Sequence, residues 1–245
     1  QTTWYVDDDF CPGPGSGTVG DPFCSIQFAI IQAVNGDVVI VAHGTYMEAI
    51  NFLGKAITVR STDPNDPVVV MQTIIDGTGF LHVVQCVSNE GPNTVLSGFV
   101  ITGGNANGAF PDNAGGGMYN LNSSPTVTNC SFSGNTAVGP GGGMYNIDSN
   151  PTVTNCSFSG NSSVGSGGGM YNQNASFPTV TNTGFCDNTP NAIFGDPIID
   201  GGGNSLNYCP PPIPVPPSCP ADINTDTNVN VTDLLALLAA WGACP

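Results

Sequence analysis

The sequence predicts an all-β fold: a right-handed, single-stranded parallel β-helix (a solenoid) with an N-terminal capping helix and a small C-terminal loop-helix segment. Three observations predict it. Residues 115–135, GGGMYNLNSSPTVTNCSFSGN, return almost verbatim at 141–161 and begin again at 167, so Met118, Met144 and Met170 fall at a period of 26. A period of that size marks a solenoid or array. Each repeat holds a triple glycine, a proline and several Asn and Ser residues, which leaves no room for a helix of useful length. Within it, the pieces Met-Tyr-Asn, Thr-Val-Thr and Cys-Ser-Phe-Ser alternate apolar with small polar side chains, as strands with one buried face do.

The elements follow in chain order. Residues 1–35 form an N-terminal region in which Ser25–Val34 carries Ile26, Ala29, Ile30, Ala33 and Val34 at helical spacing, a cap for the open end of the core. Residues 36–208 form the solenoid. At roughly 24 residues a rung it has about seven rungs, a stack ~35 Å long. Val127, Cys130 and Phe132 all point inward only if the chain bends near Asn129, a residue type that tolerates the left-handed conformation. Asn129, Asn155 and Asn182 are then expected to stack as a ladder of amides. Residues 209–219, CPPPIPVPPSC, form a stiff polyproline spacer before a segment over 220–245.

In that last segment oxygen-bearing side chains occupy loop positions 1, 3, 5, 9 and 12, counted from Asp222: Asp222, Asn224, Asp226, Asn230 and Asp233. An apolar run from Leu234 to Trp241 follows. This is the spacing of an EF-hand calcium loop, so one calcium ion is the expected cofactor. Leu234, Leu238 and Trp241 are too apolar for a short helix to leave bare, and they are read as an interaction face.

The repeats, together with WYVDDDF, DPFCSIQFAIIQAVNGDVVIVAHGTY and FLGKAITVRST, resemble the pectin-lyase-like right-handed parallel β-helix superfamily. More closely, they are similar to secreted bacterial β-helix proteins with tandem GGGMYN-type rungs. The resemblance covers residues 1–208 and implies architecture far more than activity. The C-terminal loop resembles the calcium-binding half of a dockerin repeat, with Thr227 in place of the usual Gly and a single loop where dockerins carry two.

Lys and Arg number 2 against 18 Asp and Glu, for a net charge of −16. Such a surface cannot neutralise phosphates, which excludes nucleic acid, and no apolar run approaches the ~20 residues of a membrane span. Nine cysteines and a start at Gln1 point to a secreted or cell-surface protein. Cys11 with Cys24, Cys186 with Cys209 and Cys219 with Cys244 each bracket a local loop and are the disulfide candidates. Asn122, Asn161 and Asn174 lie in sequons assigned to loops and are glycosylation candidates.

A uronate lyase needs cations beside its substrate's carboxylate. Only Lys55 and Arg60 exist, both in an early strand where they read as structural. A glycosidase needs converging carboxylates, yet between residues 91 and 186 the only charged side chains are Asp112 and Asp148, in loops of different kinds. Asp76 and Asp200 sit in IIDG turns, and the Asp7–Asp9 run reads as a solvated acidic edge. His43 and His82 belong to no catalytic pattern. Cys130 and Cys156 stack in adjacent rungs as small hydrophobes. Tyr119, Tyr145 and Tyr171 alternate with Met and are expected to point outward as an aromatic interaction face, suited to sugar rings or to another subunit.

The leading expectation is therefore a non-catalytic extracellular structural protein, not an enzyme, that self-associates head-to-tail into a filament through its C-terminal arm. A polysaccharide-binding module or adhesin is the second reading. A carbohydrate-active β-helix enzyme, a lyase or hydrolase, is the third.

Overall fold

The computed structural model describes residues 1–13 and 15–206. Its strands build four parallel sheets that wrap one core. The first has eight strands, from Thr3–Val6 to Ile199–Asp200, and the second seven, from Gly44–Tyr46 to Ser205–Leu206. The third has six, from Ile50–Asn51 to Ile193–Gly195, and a fourth has three: Asn105–Ala106, Thr136–Ala137 and Ser162–Ser163. Each strand pairs with its counterpart one coil away, so Met118 lies beside Met144 and Met144 beside Met170. This is the right-handed parallel β-helix, with the hand that parallel crossovers take. The seven-stranded sheet agrees with the rung count expected from the repeat. The small fourth sheet has no counterpart in the sequence reading, because two-residue strands such as Thr136–Ala137 are too short to show a period.

The strands fall where the repeat places them: Met118–Leu121, Thr126–Thr128 and Ser131–Ser133, each followed one and two coils later by its copy. Val127, Val153 and Val180 point inward and are fully buried, as are Phe132, Phe158 and Phe185. The three phenyl rings stack face to face at centroid separations of 4.7 and 4.8 Å, with planes within 6° of parallel. Between the first and second sheets the chain turns through a left-handed residue: Asn129 at φ 54°, Asn155 at 54° and Asn182 at 48°. One rung earlier Gly98 takes that place at φ 81°.

The bend is thus at the expected asparagines, but the ladder is not. Asn155 and Asn182 are exposed and Asn129 half-buried, because a left-handed residue at a tight corner turns its side chain outward. The buried ladders use other columns. Asn120 donates Nδ2–H to Asn146 Oδ1 at 2.8 Å, Asn146 to Asn172 Oδ1 at 2.9 Å, and Asn172 to the Asp196 carbonyl at 3.0 Å. In a second column Asn135 donates both its backbone N–H and its Nδ2–H to Asn161 Oδ1, each at 3.0 Å. Asn161 does the same to Asn188 at 3.1 and 2.9 Å. A third column is of serines: Ser123 N–H donates to Ser149 Oγ, and Ser149 N–H to Ser176 Oγ, both at 3.0 Å.

The capping helix spans Ile26–Gln32. Ile26, Ala29, Ile30 and Ala33 are buried against the first rung, whereas Val34 lies beyond the helix end and is exposed. Its N-terminus is held by Glu48, whose carboxylate accepts from Ile26 N at 2.7 Å and Gln27 N at 3.0 Å, and by Ser25 Oγ, which accepts from Phe28 N at 3.1 Å. Its C-terminal carbonyls are held by Lys55, whose Nζ donates to Ile30, Ile31 and Ala33 at 2.7–2.8 Å. Asp37, 3% exposed, accepts from Thr2 N and Val34 N, and these bonds hold its carboxyl below the usual aspartate range.

This packing has three measurable consequences. Phe158→Ala is expected to cost about 3–5 kcal/mol in urea denaturation, as a fully buried aromatic deletion does. Asn146→Ala leaves Asn120 Nδ2 and Asn172 Oδ1 unpaired in the core, a loss of ~2–6 kcal/mol at roughly one to three per orphaned group. Because the Asp37 pKa is depressed on folding, its contribution is present above the unfolded value of about 3.9 and is lost as pH falls through the folded one. Asp37→Asn is expected to flatten that acid limb of the stability curve, measured by thermal melts between about pH 2 and 6.

Candidate functional site

Outward positions on the first and second sheets repeat as columns of hydroxyls. On the first, Thr126, Thr152 and Thr179 form one column and Thr128, Thr154 and Thr181 the next. Around the corner on the second, Ser131 lies beside Ser157, and Ser133 beside Ser159. All ten are half-buried. The columns repeat at ~4.8 Å along the stack and at roughly 6.6 Å across it. Some hydroxyls bond along their column: Thr128 Oγ1 to Ser97 Oγ at 2.8 Å and Ser157 Oγ to Ser131 Oγ at 3.0 Å. From Thr126 to Cys186 no strand position carries a charged side chain.

The third sheet carries a different column. Its outward rings Tyr119, Tyr145, Tyr171 and Phe194 form a ladder that His82, from the segment just before Val84–Cys86, extends at one end, with successive centroids from His82 onward 5.0, 5.6, 5.6 and 5.8 Å apart. The tyrosines stack as expected, but the open face is corrected. Tyr119 is 3% and Tyr145 1% exposed, packed with Ala114, Val87, Leu121 and Ile147, which cover the outer surface of this sheet. The turn before each strand presses close: a side chain at Gly115 or Gly141 would strike the carbonyl of Met118 or Met144 and crowd the tyrosine that follows it. Tyr145 O–H also donates to Gln173 at 2.6 Å. Tyr171 is half-buried, and only Phe194 at the end of the ladder is exposed.

At the other end His82 is 4% exposed, with Nδ1 3.0 Å from the Gly115 carbonyl and Nε2 3.8 Å from Asp112 Oδ1. Burial lowers its pKa, against the opposing pull of the Gly115 carbonyl and of Asp112. Nothing in the sequence marks this pairing, since the two residues stand 30 positions apart with no shared pattern.

Both cations of the chain are engaged with main-chain carbonyls, Lys55 at the capping helix and Arg60 on Ser61 and Thr62 at 2.8 Å. Asp76 accepts from Thr78 N at 2.8 Å and Asp200 from Gly202 N at 2.8 Å, as turn residues. Asp7, Asp8 and Asp9 bring their carboxylates together, with Asp7 accepting from Asp9 N and Asp8 from Thr45 N, both at 3.0 Å. Burial pushes the Cys130 thiol up to about 12 and those of Cys86 and Cys156 well above the usual value, as inert core groups.

Cys11 and Cys24 form the expected disulfide. Cys186 is also disulfide-bonded, while Cys209, Cys219 and Cys244 lie outside the described residues. Asn122 and Asn174 are exposed, but Asn161 is fully buried in an amide ladder, where a glycan has no room. The calcium-loop residues Asp222, Asn224, Asp226, Asn230 and Asp233, and Leu234, Leu238 and Trp241, also lie outside the described residues. Among those described, no helix is long and apolar enough to cross a membrane.

No protein-family model matches the chain, and no curated protein sequence matches it. Solved structures with a similar backbone are pectin methylesterases. PemA from Erwinia chrysanthemi is 12% identical over 74% of this chain and 54% of that one, with a TM-score of 0.47. A pectin methylesterase in complex with a hexasaccharide is 11% identical over 74% and 65%, at 0.38. The enzyme from carrot is 10% identical over 84% and 82%, at 0.41. This chain thus spans about half the length of the first. The fold itself rests on the strand pairing. These neighbours are enzymes, which goes against the expectation of a non-catalytic structural protein.

Proposed function

We propose that this chain is an extracellular, carbohydrate-active β-helix protein that engages an uncharged polysaccharide along the hydroxyl columns of its first and second sheets. The observation that carries the reading is the run of strand positions from Thr126 to Cys186 without a charge, presenting six threonines and four serines outward in register. Hydroxyls both donate and accept, as sugar hydroxyls do. A chain at −16 repels polyanions, which favours a neutral polymer over a polyuronate. The Cys11–Cys24 disulfide supports an oxidising, extracellular setting.

The test is retention on insoluble cellulose, chitin and fully methyl-esterified pectin, compared with polygalacturonate, alongside an assay for methanol released from the esterified pectin. Retention on at least one neutral polymer and none on polygalacturonate is expected. Thr154→Glu and Ser157→Glu, both at outward positions, are expected to weaken it at least tenfold with little change in melting temperature. Equal retention of the variants, or preference for the polyanion, would refute the reading.

For the C-terminal loop we propose one bound calcium ion, supported by the spacing of Asp222, Asn224, Asp226, Asn230 and Asp233. Calorimetric titration of the whole chain is expected to show one site, weakened at least tenfold by Asp226→Ala. A titration without heat or saturation would refute it.

A further inference from the structure

The pairing of His82 with Asp112 has a hydrogen-bonding mismatch that a proton resolves. The Gly115 carbonyl can only accept, so the bond to Nδ1 at 3.0 Å places a hydrogen on that nitrogen. In the neutral ring Nε2 then carries a lone pair, and it faces a carboxylate oxygen, Asp112 Oδ1, at 3.8 Å. Two acceptors face each other and no bond forms between them. A proton on Nε2 turns the same geometry into an ion pair, and a small approach of the exposed carboxylate then gives a charge-assisted hydrogen bond, with both ring nitrogens donating.

Asp112 sits on a turn that is closed on itself, Gly108 N–H donating to the Asp112 carbonyl at 3.2 Å and Asp112 N–H to the Ala109 carbonyl at 2.7 Å. Its side chain is 55% exposed, whereas the histidine beneath it is buried against Tyr119. We infer that His82 and Asp112 form an acid-engaged latch, in which proton uptake by the buried ring ties the turn of residues 108–112 down over the start of the aromatic ladder.

The groups facing the ring are few. Asp112 acts from the turn, the Tyr119 phenol from the neighbouring coil, and the main chain of Ala114 and Gly115 from the segment between them. On the histidine's own coil, the Asp76 carboxylate is held by Thr78 N–H and O–H. Of these, only Asp112 offers the proton a partner. The sign follows: the contact raises the proton affinity of the buried ring relative to the same ring without it, so falling pH strengthens the latch. Burial works the other way, which puts engagement below the ordinary histidine value of 6.5.

Hydrogen exchange of the 107–114 segment in the whole chain, corrected for the intrinsic pH dependence, tests this between about pH 4 and 7.5. Wild type is expected to gain several-fold protection there in acid, and Asp112→Asn, at an exposed position, to lose that gain while keeping its protection elsewhere. The His82 ring titration, followed by NMR, is expected to move to lower pH in Asp112→Asn. Protection that is independent of pH, that falls in acid, or that is the same in Asp112→Asn would overturn the latch, as would an unmoved His82 titration.

Discussion

Each strand residue in this fold lies beside its counterpart in the next coil, ~4.8 Å away, and the rest of the structure depends on that constraint. A side chain is therefore chosen for how well it pairs with a copy of itself. Phenylalanine does so by stacking flat, as Phe132, Phe158 and Phe185 do. Asparagine does so by presenting a donor to one neighbour and an acceptor to the other, which links the buried Asn120, Asn146 and Asn172 into one column. Charged side chains fail the test, because like on like repels. That is the physical reason the repeats hold so few.

The same constraint shapes the outside. Threonines and serines that tolerate their own copies leave faces in the repeats that are regular, hydroxylated and free of charge, and the proposed polysaccharide engagement rests on them. Where a coil departs from its neighbours, chemistry of another kind appears. His82, just before Val84–Cys86, stacks on Tyr119 and ends the aromatic column, while Gln85 holds the register position that tyrosine takes in later coils, and the turn bearing Asp112 lies beside the histidine. The end coils need separate treatment, and at the N-terminal end a helix held at both termini by Glu48 and Lys55 seals the core.

Much of the fold was legible in the sequence because a 26-residue period constrains strand position, register and the inward column all at once. Val127, Phe132 and the bend at Asn129 followed from alternation and backbone preference alone. The ladder did not, because the repeat holds several asparagines and alternation cannot say which of them a corner turns inward. Asn161 shows the same blind spot: its sequon is intact, yet the side chain is the middle of a buried column. The tyrosines pointed outward as alternation requires, but outward from a sheet is not the same as exposed, and only the structure shows Ala114 and Ile147 lying over them. The His82–Asp112 pairing was invisible because it joins residues from different coils that share no motif.

The most direct measurement of like-on-like register is the excision of one coil. Removing residues 141–166, one full 26-residue period, brings Asn120 into line with Asn172 and Thr126 with Thr179. Removing residues 142–166 instead leaves the chain one residue out of step. The account predicts that the first variant still unfolds cooperatively in urea, with a stability modestly below that of the full chain, and that the second is less stable than the first. Two variants of equal stability, or failure of the 26-residue excision alone, would contradict it.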